Sequence, residues 1–155
     1  MKISNPNYRL IICGSGTLTP MIIDVSKKDP RIIYKGTLPR EEVLALQKKS
    51  TLLVNPRKPN GGITRYSFPS KTVEYLSSGT PMIGYKLEGI PSEYYNYYYT
   101  IDDLSEETLV ATIENVMSLP QSVLDEKARD AFEFIDNNKT AEKQVKRILD
   151  FISEK

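Results

Sequence analysis

The chain has 155 residues, 39% of them hydrophobic, and 21 Lys plus Arg against 20 Asp plus Glu give a formal charge of +1. That balance, without any long block of like charge, argues against a nucleic-acid partner, and no apolar run reaches the roughly 18 residues of a membrane-spanning helix. Histidine is absent, which excludes Ser-His-Asp and Cys-His nucleophilic machinery and most zinc sites.

A chain of this length removes about 68–70% of its unfolded surface from water, so a single domain with one core is the expectation. Residues 1–7 form a polar lead-in. Residues 9–13 are a strand candidate; the lone Cys13 follows Leu10, Ile11 and Ile12 there, which predicts a packed, inert thiol. Gly14-Ser15-Gly16 makes a turn, and Met21, Ile22 and Val25 mark an amphipathic helix. The pattern then repeats. Residues 31–34 read as a strand, Gly36-Thr37 as a turn, and residues 40–49 as a helix whose apolar side is built from Leu38, Val43, Leu44 and Leu46.

Residues 51–55 are the third strand, and the prolines and glycines of residues 56–62 mark a loop. Residues 71–77 read as a short helix, with Gly79 as a left-handed cap and Pro81 barring continuation. A fourth strand is expected over residues 81–85, and a fifth within residues 94–100 after a turn at Gly89 and Pro91. The five tyrosines from Tyr94 to Tyr99 fit alternating burial on that strand. Ser105-Glu106-Glu107-Thr108 resembles a capping start, and Leu109, Ile113, Val116 and Met117 follow at helical spacing. Pro120 ends that helix, and residues 121–155 supply the C-terminal helices, over about 123–135 and 140–152. Strands alternating with helices imply parallel pairing and right-handed crossovers, hence a doubly wound, Rossmann-like α/β sheet that binds ligands at the carboxyl ends of its strands. Asp102-Asp103 precedes a helix start, where acidic side chains complement the helix dipole, so no metal is implied.

The most informative stretch runs from Arg65 through Phe68-Pro69-Ser70-Lys71 to Glu74-Tyr75-Leu76 and Gly79-Thr80-Pro81. It is a loop entering a helix. Pro69 suits a helix entrance, Ser70 is a candidate cap, and the amides of Ser70, Lys71 and Thr72 lack intrahelical acceptors. Unpaired N–H groups beside a lysine favour an anion. Glu74, one turn on, can present its carboxylate to sugar hydroxyls. A nucleoside diphosphate would suit this arrangement; an ordinary capped helix with solvated Lys71 and Glu74 fits the same residues.

This segment resembles the donor-binding motif of retaining glycosyltransferases of family 4, in the variant carrying Phe-Pro-Ser-Lys. The resemblance covers most of the chain: residues 10–16 are similar to the family's strand and Gly-x-Gly turn, residues 32–36 and 52–56 to later strands, and Gly89-Ile90-Pro91-Ser92-Glu93-Tyr94 and Asp102-Asp103-Leu104 to later turns. It implies one half of a GT-B fold, the half that binds a nucleotide sugar. It also implies that Glu74 holds the nucleotide ribose, that Gly36, Thr37 and Leu38 lie beside the base, and that Ser70 and Lys71 lie under the diphosphate. Tyr66 and Ser67 complete the implied substrate-binding residues, and Tyr66 stands where many members carry a glutamate that contacts the donor sugar. A tyrosine can stack on a sugar but supplies no carboxylate charge.

The chemistry the family implies is transfer of a sugar from a nucleoside-diphosphate sugar to a saccharide or lipid-linked acceptor, with retention and without a further cofactor. Cations and helix dipoles would stabilise the departing diphosphate. The family's Arg and Lys for that task lie just after the first strand of the domain. This sequence resembles the family only from the second strand onward, so the expectation is a partial domain lacking its first strand and helix, inactive without an acceptor-binding half. Arg57, Lys58 and Arg65 are nearby cations that read as solvated loop residues. The expected location is the cytoplasm, with any attachment to the inner membrane made through the absent half. A non-catalytic nucleotide-binding or interaction module is the competing reading, favoured by Tyr66 and the missing cations. A kinase-like enzyme has no support, since the chain holds no Gly-Lys-Ser/Thr phosphate loop.

Overall fold

The computed structural model describes residues 2–60 and 62–153. The backbone forms two compact units, Met1–Leu46 and Gln47–Lys155. Every strand pair is parallel, but the ladder expected to be one sheet is hydrogen-bonded as two: β1-β2 in the first unit and β3-β4-β5 in the second. Alternation of strand and helix dictates parallel pairing. Which strands become neighbours is a long-range choice that this alternation does not encode.

In the first unit, β1 (Leu10–Cys13) pairs with β2 (Ile32–Gly36), and helix α1 (Thr19–Lys28) connects them. The register shifts between Ile12 and Cys13, so Cys13 stands opposite Gly36. The Tyr34 hydroxyl donates to the Gly14 carbonyl at 2.7 Å, tying the first turn to β2. Arg31 makes a two-point contact with Asp29, at 3.0 and 2.8 Å, and reaches the Ile3 carbonyl at 2.8 Å, which fastens the lead-in. The Arg31 hydrogen bonds hold the Asp29 carboxyl well below its ordinary range. Cys13 is exposed, contrary to the packed thiol read from its neighbours. An apolar run is buried on both faces only when helices cover both; here α1 buries no side chain, and Leu10 and Ile11 are exposed as well.

Helix α2 (Arg40–Lys49) carries Glu41 and Glu42 in its first turn and Lys48 and Lys49 in its last, matching the helix dipole at both ends. Its fully buried residue is Gln47; Val43, Leu44 and Leu46, expected to form the packed side, are half-buried.

The core of the second unit is built around β4 (Met82–Tyr85), the middle strand, with β3 (Leu53–Asn55) and β5 (Tyr99–Ile101) on either side. All four β4 residues are buried, as a central parallel strand covered on both faces requires. Successive side chains point to opposite faces. Met82 joins Leu76, Leu87, Ile90 and Tyr94, while Ile83 joins Val116 and Leu124. Burying one such aliphatic side chain stabilises by about 1.5–3 kcal/mol.

Helix α3 (Ile63–Tyr66) is a single turn that the sequence does not mark, directly after the 56–62 loop, and α4 (Ser70–Leu76) follows it. Residues expected in the fifth strand instead form a 3-10 turn, Ser92–Tyr97, and the strand begins only at Tyr99. Side-chain packing drives that change. Tyr97 stacks on Phe134 at 4.1 Å, and Tyr94 meets the same ring edge-on at 5.1 Å. Tyr98 is buried with its hydroxyl on the Tyr85 carbonyl. Alternating burial along a strand therefore does not account for these tyrosines.

Helix α5 (Glu106–Met117) is capped by Ser105, whose hydroxyl accepts from the Thr108 amide at 3.1 Å. Asp103 accepts from the Ser105 amide at 2.7 Å and from the Thr108 hydroxyl at 2.8 Å. Those bonds, the Ser105 contacts foremost, lower its carboxyl pKa; the side chain serves the helix start. Helix α6 (Gln121–Asn138) buries Leu124, Ala128, Ala131, Phe134 and Ile135 along one stripe. Helix α7 (Ala141–Ser153) buries nothing, and its Val145, Ile148, Leu149 and Ile152 are all more than half exposed. No helix among the described residues is long and apolar enough to cross a membrane.

Candidate functional site

The start of α4 is held from three directions. Phe68 packs its ring 5.1 Å from that of Tyr94, so the loop entering the helix is tied to the aromatic cluster on α6. Gly89 donates its amide to the Thr64 carbonyl at 2.8 Å, bringing the turn after β4 against the same loop. A Cβ on Gly89 would stand 2.5 Å from the Ser67 carbonyl oxygen and 2.7 Å from that of Thr64, so only glycine fits this approach. Thr64, fully buried, bridges to Asn60 through its hydroxyl.

Pro69, not Ser70, is the N-cap residue of α4, with φ −71° and ψ 113°, and no side chain caps the helix. The ring fixes φ near −65°, which pre-organises an extended entrance. Ser70 therefore becomes the first helical residue. The Thr72 amide is also spoken for, donating to the Pro69 carbonyl at 2.9 Å. The other two first-turn amides belong to Ser70 and Lys71, both exposed residues.

One turn along, the Lys71 ammonium lies 2.7 Å from Glu74 Oε1, and Gln47 Nε2 donates to the same oxygen at 2.7 Å. Lys71 and Glu74 are thus paired rather than separately solvated. Lys71 remains half exposed and Glu74 partly so, which keeps the pair cheap to rearrange, since exposed helix pairs contribute only about 0.3–0.5 kcal/mol.

Ser67 donates to the Ile63 carbonyl at 2.7 Å and lies 3.4 Å from the Arg57 guanidinium. Arg57 is therefore drawn toward the loop entering α4, whereas Lys58 turns to the Leu104 carbonyl at 2.8 Å. Tyr66 is 84% exposed, with the Arg65 guanidinium 5.7 Å from its ring centre. Thr37 and Leu38 follow β2 in the first unit, Thr37 exposed and Leu38 half-buried. In the second unit the structure brings Ser70, Lys71 and Glu74 together. It adds Gln47, which sequence reasoning passed over. The signal was present: Gln47 lies four residues after Val43 and three after Leu44, a polar side chain on the apolar stripe of α2.

Parallel strands, a glycine turn pressed on the loop after the third strand, and a helix entrance with an ammonium and a carboxylate define an α/β protein with the layout of a Rossmann-like half. The profile of the family described as glycosyl transferases group 1 matches residues 1–139, and the chain belongs to that family. Membership implies a nucleotide-sugar donor and an acceptor. Among curated proteins, none matches the chain.

Proposed function

We propose that the chain is the donor-binding half of a retaining glycosyltransferase of family 4, in its Phe-Pro-Ser-Lys variant, and is inactive as a transferase by itself. One observation carries this: the Lys71 ammonium and the Glu74 carboxylate meet 2.7 Å apart, one turn inside a helix whose first residues, Ser70 and Lys71, are exposed. The Ser70 and Lys71 amides would receive a diphosphate oxygen, and Lys71 would swing from Glu74 to the phosphate charge. Glu74 would then accept from the ribose hydroxyls. Phosphate and ribose are adjacent in a nucleotide, as the two protein groups are along the helix.

Calorimetric titration of the chain with ADP, GDP and UDP tests the proposal. Saturable binding of one of them, weakened at least tenfold by Glu74→Ala, is expected, because a hydrogen bond to a charged group contributes about 1.5–3 kcal/mol. Absence of binding to all three refutes it. A non-catalytic module is the second reading. Tyr66 favours it, because that exposed phenol, with Arg65 against its ring, brings no carboxylate to the donor sugar. Equal affinity for a nucleoside diphosphate and its sugar conjugate is the outcome that reading expects.

A further inference from the structure

We infer that Gln47 is a positioning residue for Glu74, setting the carboxylate for recognition of a nucleoside diphosphate through its ribose hydroxyls. The inference rests on the donor-site proposal and adds to it a residue that touches no ligand. Gln47 is 6% exposed, and its Nε2 donates to Glu74 Oε1 at 2.7 Å. Its amide oxygen Oε1 is buried and has no hydrogen-bond partner among the described residues. The amide orientation is dictated by chemistry: the opposite flip would set a carbonyl oxygen against a carboxylate oxygen.

Stability alone would not select this side chain. A buried amide with an orphaned acceptor costs free energy that a methionine or leucine on the same stripe would avoid. The backbone there is also fixed. The Gln47 carbonyl, in the last turn of α2 where no intrahelical donor remains, accepts from the Thr80 hydroxyl at 2.8 Å and from the Ser50 amide at 3.2 Å. Thr80 leads into β4, so the amide is carried on a support anchored to the central strand. Lys71, by contrast, is more than half exposed on a long flexible stem. When Lys71 leaves Glu74 for a phosphate, the buried Gln47 donor stays on Oε1 and holds that oxygen in one orientation.

The test is a comparison of affinities for a nucleoside diphosphate and its 2′,3′-dideoxy counterpart, using whichever of ADP, GDP and UDP binds most tightly. Gln47→Met keeps length and volume while removing both polar atoms. In the unaltered chain the ribose form binds better than the dideoxy form. In Gln47→Met that ratio falls about tenfold, the worth of a hydrogen bond to a charged group, while affinity for the dideoxy form and the melting temperature do not fall. Glu74→Ala lowers the ratio by at least as much, and adding Gln47→Met to it lowers it no further. Should Gln47→Met keep the full ratio while Glu74→Ala loses it, the positioning role is overturned and the donor site stands. Should Glu74→Ala keep the ratio, or no nucleotide bind, the donor site falls and the role of Gln47 falls with it.

Discussion

Replacing Gly89 by alanine should destabilise the second unit through a backbone collision. The added Cβ would lie 2.5 Å from the Ser67 carbonyl oxygen, 2.7 Å from that of Thr64 and 3.0 Å from the Ser67 carbonyl carbon. Carbon–oxygen contacts settle near 3.3–3.6 Å, so the turn must withdraw by roughly 0.6–0.8 Å. All three obstacles are main-chain atoms, and none can rotate aside as a side chain would. Withdrawal stretches the 2.8 Å bond from the Gly89 amide to Thr64 and disturbs Thr64, which has no exposed surface. Overpacking typically costs about 1–3 kcal/mol, a lost hydrogen bond about 0.5–1.5 kcal/mol, and the stiffer unfolded chain returns about 0.4–1 kcal/mol. The net is about 2–3 kcal/mol of destabilisation. For a chain of 155 residues that corresponds to a melting temperature lower by roughly 4–12 °C. Circular dichroism melts of Gly89→Ala beside Gly16→Ala provide the comparison, since a Cβ on Gly16 meets nothing within 4 Å. A Gly89→Ala melt within 2 °C or so of the unaltered chain would refute the steric argument.

Thr72 is fully buried and its hydroxyl has no partner among the described residues, so Thr72→Val, nearly the same shape, should raise stability by about 1 kcal/mol in urea titrations; a loss of that size would mean that the hydroxyl is satisfied in solution. Tyr98 predicts a pH dependence. Burial first, and then the neighbouring Tyr95 hydroxyl, push its phenol above the ordinary value of 10.0. The folded chain therefore holds the proton after the unfolded chain has released it, so this contribution is whole below pH 10, and it is lost as pH rises from there through the raised folded value. Urea midpoints between pH 8 and about 11.5 should decline, and decline less steeply in Tyr98→Phe. Identical slopes would count against it.

The order of elements was legible because the signals were local. Apolar runs four or five residues long, broken by Gly-containing turns, located the first four strands, and Ser105 announced α5 through its cap. Two failures share one cause. Cys13 and the tyrosines from Tyr94 to Tyr98 were read from neighbours in sequence, but burial is decided by what packs on them. Nothing buried by α1 covers the first, and Phe134, some 40 residues away, gathers Tyr94 and Tyr97 into a 3-10 turn. The division of the strands into two ladders is likewise a choice of neighbour, which periodicity leaves open.

The candidate site divides along the same line. Pro69, Ser70, Lys71 and Glu74 lie within six residues, so helical spacing alone brought the ammonium and the carboxylate together; only the cap was misassigned, because proline at 69 moved the helix start by one residue. Gln47 reaches Glu74 across 27 positions, and no spacing rule connects them. A polar side chain on an apolar stripe is the one sequence cue to such a residue, and it does not reveal the partner. The physical asymmetry is that exposed groups close in sequence can touch ligand without help, whereas the donor that fixes their orientation has to come from another element and be buried to act. In this chain that donor would be the best place to distinguish a site kept for recognition from a helix that merely carries charges: a Gln47→Met variant that melts higher but tells ribose from dideoxyribose less well would show stability given up for orientation.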